Sequence, residues 1–276
     1  AIVSDPASGV VAAGRLLILM PAISLFMSKA VDLKELWYNI NRDTTMKAPI
    51  TFDEPSHTYT HNETGEKYTS VTTLLGKYKK PFDSETVATR VAKREGVSKD
   101  LVLEMWNTEK NRACDRGTAI HKLLEDYITV GEQDEEWGWL YKSYDKCREW
   151  NIDKFNKVLC EQLVWNEEYK ISGLADLFYM HRDGTFTVGD FKTNKRYRFS
   201  SEYNDWMLAP LEHLTVCEHS TYTMQLSMYA YLYEQMTGKK CRKLVIYYLD
   251  KDRFKAHHCN YMKAEVKELF EHFKNK

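Results

Sequence analysis

Asp190 and Lys192 stand two residues apart in the run Val188-Gly189-Asp190-Phe191-Lys192, with Asp176 upstream. In an extended strand, side chains alternate between faces, so Asp190 and Lys192 project together and Phe191 projects away. If the chain doubles back between Asp176 and Asp190, two carboxylates and an ammonium gather at one end of a sheet. Hard oxygen donors of that kind suit a hard divalent cation. The plainer alternative for an isolated Asp-x-Lys is a salt bridge on an ordinary strand. The elements needed to bring the three together are readable. Residues 171–180 are rich in β-formers, Arg182-Asp183-Gly184-Thr185 supplies a turn in which Gly184 is free to take positive φ, and residues 186–192 form the return strand.

Two helices offer further polar groups. Over residues 117–129 the apolar stripe Ile120, Leu123, Leu124 and Tyr127 has helical spacing. His121 and Glu125, four apart, are neighbours on its edge. A histidine there either reaches a site beside the sheet or is a core residue bonded to backbone. Over residues 222–236 the stripe is Tyr222, Met228, Tyr229, Leu232 and Met236, and Gln225 projects from its middle. A buried amide without partners costs about 1–3 kcal/mol, so Gln225 needs either a backbone group or a functional partner.

The set Gly117-x3-His121-x3-Glu125, Gly173-x2-Asp176, Asp190-x-Lys192 and Gln225-x3-Tyr229 resembles the PD-(D/E)XK nuclease superfamily in its RecB-like branch. The resemblance extends from Tyr68 to Tyr248. Within the branch it looks most like the phage and mitochondrial single-domain exonucleases, which share the Ser70-Val71-Thr72 opening and the order of the motifs. Each motif alone is weak; together they are specific.

The resemblance implies a restriction-endonuclease-like α/β core, a mixed central sheet flanked by helices in the order α-β-β-β-α-β. It also implies a metal-dependent DNA exonuclease of replication, repair or recombination. A single-strand or structure-selective endonuclease, and a non-catalytic DNA-binding module on the same fold, are the competing readings. His121, Asp176, Asp190 and the Phe191 carbonyl are the implied metal ligands, for magnesium or, with a histidine present, manganese. Lys192 would orient and help deprotonate a water, or stabilise charge on phosphoryl oxygens. Glu125, Gln225 and Tyr229 complete the implied catalytic set. Glu161 matches an acidic position of the family. Phosphate contacts are expected from Lys195, Arg196 and Arg198, a basic loop with no acid before Glu202, and from Arg116 and Arg90. Arg90 belongs to a locally basic zone with Lys77, Lys79, Lys80, Lys93 and Arg94, which reads equally as a solvated helical face.

The total charge of −1 over 276 residues announces no nucleic-acid partner, so any basic footprint must be local. The six cysteines form no C-x-x-C pair, which argues for reduced, buried thiols and offers no pattern for the iron–sulfur cluster that some RecB-like nucleases carry. His257, His258 and Cys259 are adjacent on a strand and alternate between faces, so zinc is not expected. No G-x-x-x-x-G-K loop is present, so a helicase partner, or a single-strand-binding protein, would be another chain. Residues 1–45 are read as an N-terminal extension and residues 46–276 as the nuclease domain, because Met46 opens a stretch that reads as a natural start. The apolar run over residues 10–27 is short for a membrane span and is interrupted by Pro21. An intracellular setting is expected, in a bacterium or phage-infected host rather than a mitochondrion, with no membrane partner.

Overall fold

The computed structural model describes residues 48–276; the extension read over residues 1–45 lies outside them. The strands are β1 (Ile50–Asp53), β2 (Thr58–His61), β3 (Lys67–Ser70), β4 (Phe155–Asn166), β5 (Ile171–His181), β6 (Phe186–Lys192), β7 (Cys241–Asp250) and β8 (Arg253–Cys259). The helices are α1 (Val71–Gly76), α2 (Ser84–Glu95), α3 (Lys99–Val130), α4 (Gly138–Asn151), α5 (Glu218–Thr237) and α6 (Lys263–Lys274). The strands make one eight-stranded sheet in the order β1-β2-β3-β5-β6-β7-β8, with β4 also paired to β5. From α4 to β7 the chain runs helix, three strands, helix, strand, the mixed α/β order expected from the sequence.

Alternation along β5 builds two cores. Phe178 joins Phe186, Tyr233 and the apolar faces of α1, α5 and α6 on one side of the sheet. Leu177 and Tyr179 join Ile120, Leu124, Leu140 and Tyr144 of α3 and α4 on the other. Each such side chain, fully buried, contributes about 1.5–3 kcal/mol.

The feature that positions the site is a fork in the sheet. β4 occupies one edge of β5 over its whole length, from Phe155↔His181 to Asn166↔Ile171. The other edge is shared. β6 pairs with it from Met180↔Phe186 to Leu177↔Gly189, and β3 pairs with it only at Ile171 and Ser172. Between these contacts, residues 173–176 have no strand partner on that edge. β6 meanwhile stays parallel to β7 as far as Lys192↔Tyr248. It therefore leaves β5 after Gly189, carrying Asp190, Phe191 and Lys192 away from Asp176 and opening a wedge between them.

Several local expectations are corrected. The helix read over residues 117–129 is the C-terminal part of one continuous 32-residue helix, α3. Its middle is exposed, so it shows no apolar stripe to read; of its residues only Val102, Ile120 and Leu124 are buried. In α5 burial is not a stripe, because every residue from Thr223 to Tyr233 is buried between the sheet and α1 and α6. Ser70 caps α1, accepting from the Thr73 amide at 3.0 Å. All six cysteines are free, but only Cys217 is buried and Cys114 is exposed. Among the described residues no helix is long and apolar enough to cross a membrane.

Candidate metal centre

At the fork, Phe191 N donates to Asp176 Oδ2 at 2.7 Å, so a side-chain carboxylate occupies the place where strand pairing has ended. The same oxygen lies 3.4 Å from His121 Nδ1. His121 Nε2 donates to the Phe191 carbonyl at 3.1 Å, and the helix-borne imidazole thus spans the wedge. A carbonyl only accepts, so Nε2 carries a proton. A neutral ring then turns the Nδ1 lone pair toward a carboxylate oxygen. Two acceptors facing each other need a positive charge between or upon them.

Glu161 completes the group. Cys160 stands opposite Leu177 and Gln162 opposite Ala175, so Glu161 of β4 and Asp176 of β5 face one another across the ladder. Glu161 has φ 46°, in the left-handed region that non-glycine residues seldom enter and that costs about 1–3 kcal/mol. One donor atom each from His121, Glu161 and Asp176 lie within 4.8 Å of one another. One imidazole and two carboxylates so placed could hold one divalent metal ion.

Burial, with the charges of Asp176, Glu125 and Asp190, pushes the Glu161 carboxyl up to about 8 from its ordinary 4.5, against a pull from Lys122. The folded protein therefore holds a proton that the unfolded chain has released, and ionising Glu161 opposes folding. Without metal, the melting temperature should fall as pH rises from about 4.5 to about 8, and Glu161→Gln should flatten that fall. Thermal unfolding in chelator across this range checks it. An equally steep fall in the Glu161→Gln protein would place the source elsewhere.

Asp190, expected among the ligands, is turned to other partners. Its Oδ2 lies 2.5 Å from Lys192 Nζ, an ionic contact not aligned as a hydrogen bond, and its Oδ1 accepts a long 3.4 Å bond from Gln225 Nε2. Burial raises the Asp190 carboxyl to about 6, with Asp176 adding to the rise and Lys192 opposing it. Burial lowers the basicity of Lys192, but the charges of Asp190 and Asp176 outweigh it and the ammonium is held. Nζ also sits 4.8 Å from the centre of the Tyr222 ring. Gln225 Nε2 donates to Tyr229 OH at 3.0 Å, so the buried amide bonds side chains rather than backbone. Tyr229 in turn fills the space above Gly173, where an added Cβ would come within 2.6 Å of Cε1. Only glycine lets the ring lie there.

The remaining expected residues are more dispersed. Glu125 is held by Lys122 at 3.0 Å and lies near enough to Glu161 for its charge to help raise that carboxyl. Lys195 pairs with Glu109, and Arg198 binds Glu218 (2.6 Å) and Glu202. The loop that looks basic in sequence is thus partly neutralised by acids from α3 and α5. Arg196, Arg116 and Arg90 are exposed. His258 Nε2 lies 3.0 Å from Asn151 Oδ1 and His257 stacks on Tyr197, so the adjacent histidines serve separate contacts.

No protein-family model matches the chain, and no curated protein matches it. Among solved structures, SSO0001 is similar at 16% identity and TM-score 0.32, over 74% of each chain. A protein of Eubacterium rectale, provisionally named an exonuclease, is similar at 12% identity and TM-score 0.35, over 75% of this chain and 81% of its own.

Proposed function

We propose that this chain is a divalent-cation-dependent deoxyribonuclease of the PD-(D/E)XK type, RecB-like branch, acting as an exonuclease in replication, repair or recombination. The observation that carries the reading is the convergence at the fork. His121 meets the Phe191 carbonyl across 70 residues of sequence, and Gln225 meets Asp190 across 35. Glu161 and Asp176 face each other beside them.

His121, Asp176 and Glu161 would hold the cation, with the Phe191 carbonyl at hand. Once bound, the ion supplies Lewis-acid polarisation of a phosphoryl oxygen and a water of lowered pKa. The residues around it bind and orient. Of the two roles open to Lys192, the Asp190 carboxylate and the Tyr222 ring favour the one in which its charge is kept. It would then stabilise negative charge developing on the phosphoryl oxygens. Gln225 fixes the Asp190 carboxylate from the opposite side, and Tyr229 fixes Gln225. Asp190 is thus a positioning group for the ammonium.

End-labelled linear DNA and covalently closed circular DNA should be incubated with magnesium, manganese or chelator. Linear DNA should be degraded from its ends with either metal, circles spared, and chelator should stop the reaction. Cleavage of circles would replace the exonuclease reading with the endonuclease one. Inertness with every metal would leave a DNA-binding module.

A further inference from the structure

The segment between Lys192 and α5 is not a loose loop. Met207 N donates to the Leu214 carbonyl (2.9 Å), Val216 N to that of Asp205 (2.8 Å) and Leu208 N to that of Tyr78 (2.8 Å). Met207 and Leu211 are buried in the core. Yet this anchored segment leaves large rings in solvent, with Phe199 61% exposed, Tyr203 78% and Trp206 43%. An ordered backbone that keeps apolar rings exposed points to something that covers them.

Ring contacts connect this surface to the metal centre. Lys192 Nζ lies over Tyr222, Tyr222 contacts Tyr197 with centroids 6.1 Å apart, and Tyr197 contacts Phe199 at 5.3 Å. Neighbours fix the column on both sides. Tyr197 stacks on His257 at 4.2 Å and 15°, and its hydroxyl bonds His219 Nδ1 at 2.8 Å. Phe199 lies 4.7 Å from the His219 ring. A row of aromatic rings that begins at the Lys192 ammonium and ends in solvent, beside exposed Arg196 and the Glu109-paired Lys195, matches the chemistry of unstacked bases on a charged backbone.

We propose that this column is a base-stacking surface for an unpaired DNA strand entering the metal centre, with Phe199 as its outermost ring. The proposal rests on the nuclease reading for the identity of the strand, and selects single-stranded DNA over duplex. A base paired inside a duplex presents only its edges in the grooves and cannot lie on Phe199.

Binding can be read without hydrolysis. In chelator, fluorescence anisotropy of labelled oligothymidylate should show Phe199→Ala weakening affinity by about 5- to 150-fold, the range for losing one stacked base. Phe199→Tyr should bind as the parent does. Affinity for a hairpin-capped duplex should be the same in all three. Phe199 is solvent-exposed, so the melting temperature should not move. Equal weakening on single strand and duplex, unchanged single-strand affinity in Phe199→Ala, or a parent that binds no single strand would each overturn the stacking surface. Hydrolysis reports separately. Intact cleavage with unchanged binding in Phe199→Ala removes the platform and keeps the nuclease, whereas stacking-dependent binding in an inert parent removes the nuclease and keeps the platform.

Discussion

Asp176→Asn should lower DNA hydrolysis by at least about 10³-fold while leaving the fold intact. Its carboxylate is one of the three donors that meet around a single position, and an amide oxygen is a far weaker ligand for a hard cation. The several kcal/mol that a bound cation supplies to a phosphoryl transition state convert to a factor of this size. The fold should survive because the amide oxygen of asparagine still accepts from Phe191 N, which now sits at 2.7 Å. Manganese affinity, followed by titration calorimetry, should fall in parallel. Turnover above a tenth of the parent rate would move the metal centre away from the fork.

Lys192→Ala should cost activity and stability together, and the two losses can be separated. A positioned acid–base or charge-stabilising group accounts for about 10²–10⁴-fold in rate. Stability should drop as well, because Asp190 is 1% exposed and loses the ammonium 2.5 Å from Oδ2. Removing one partner of a buried pair costs about 3–5 kcal/mol. Lys192→Ala combined with Asp190→Asn removes the stranded charge, so urea denaturation should show most of that stability restored. The rate should stay low. A double variant that regains both stability and turnover would reduce Lys192 to a structural salt bridge.

What the sequence disclosed followed from local pattern. The hairpin was readable because its period of two is broken by Asp183-Gly184, and Gly184 takes φ 82° in that turn. The neighbourhood of Asp176 to Asp190 and Lys192 followed from the same hairpin. Glu161 was harder to place, since its standing opposite Asp176 depends on the register between β4 and β5, which no single strand encodes. The ion pairs of Lys195 and Arg198 were hidden from the sequence for a related reason. Glu109 and Glu218, which neutralise them, are far away in sequence and come close only through tertiary packing. The length of α3 was hidden by its exposure, because a solvated helix has no need of an apolar face for a reader to follow.

The meander of β4, β5 and β6 bears on how the site comes into being as the chain folds. Glu161, Asp176 and Asp190 all lie on it, and contact between its strands spans short stretches, 15 residues for Phe191 and Asp176. Closing such loops costs little chain entropy, so the like charges are gathered by the least expensive ordering steps available. His121 and Gln225 arrive from helices 70 and 35 residues away from their partners, and long-range docking comes at greater entropic cost. Local topology therefore concentrates the acids, while the imidazole and the amide that organise them depend on tertiary assembly. A chain with its meander formed and its helices undocked would carry the negative charge of the centre without its geometry, which makes competence for chemistry a property of the finished fold alone.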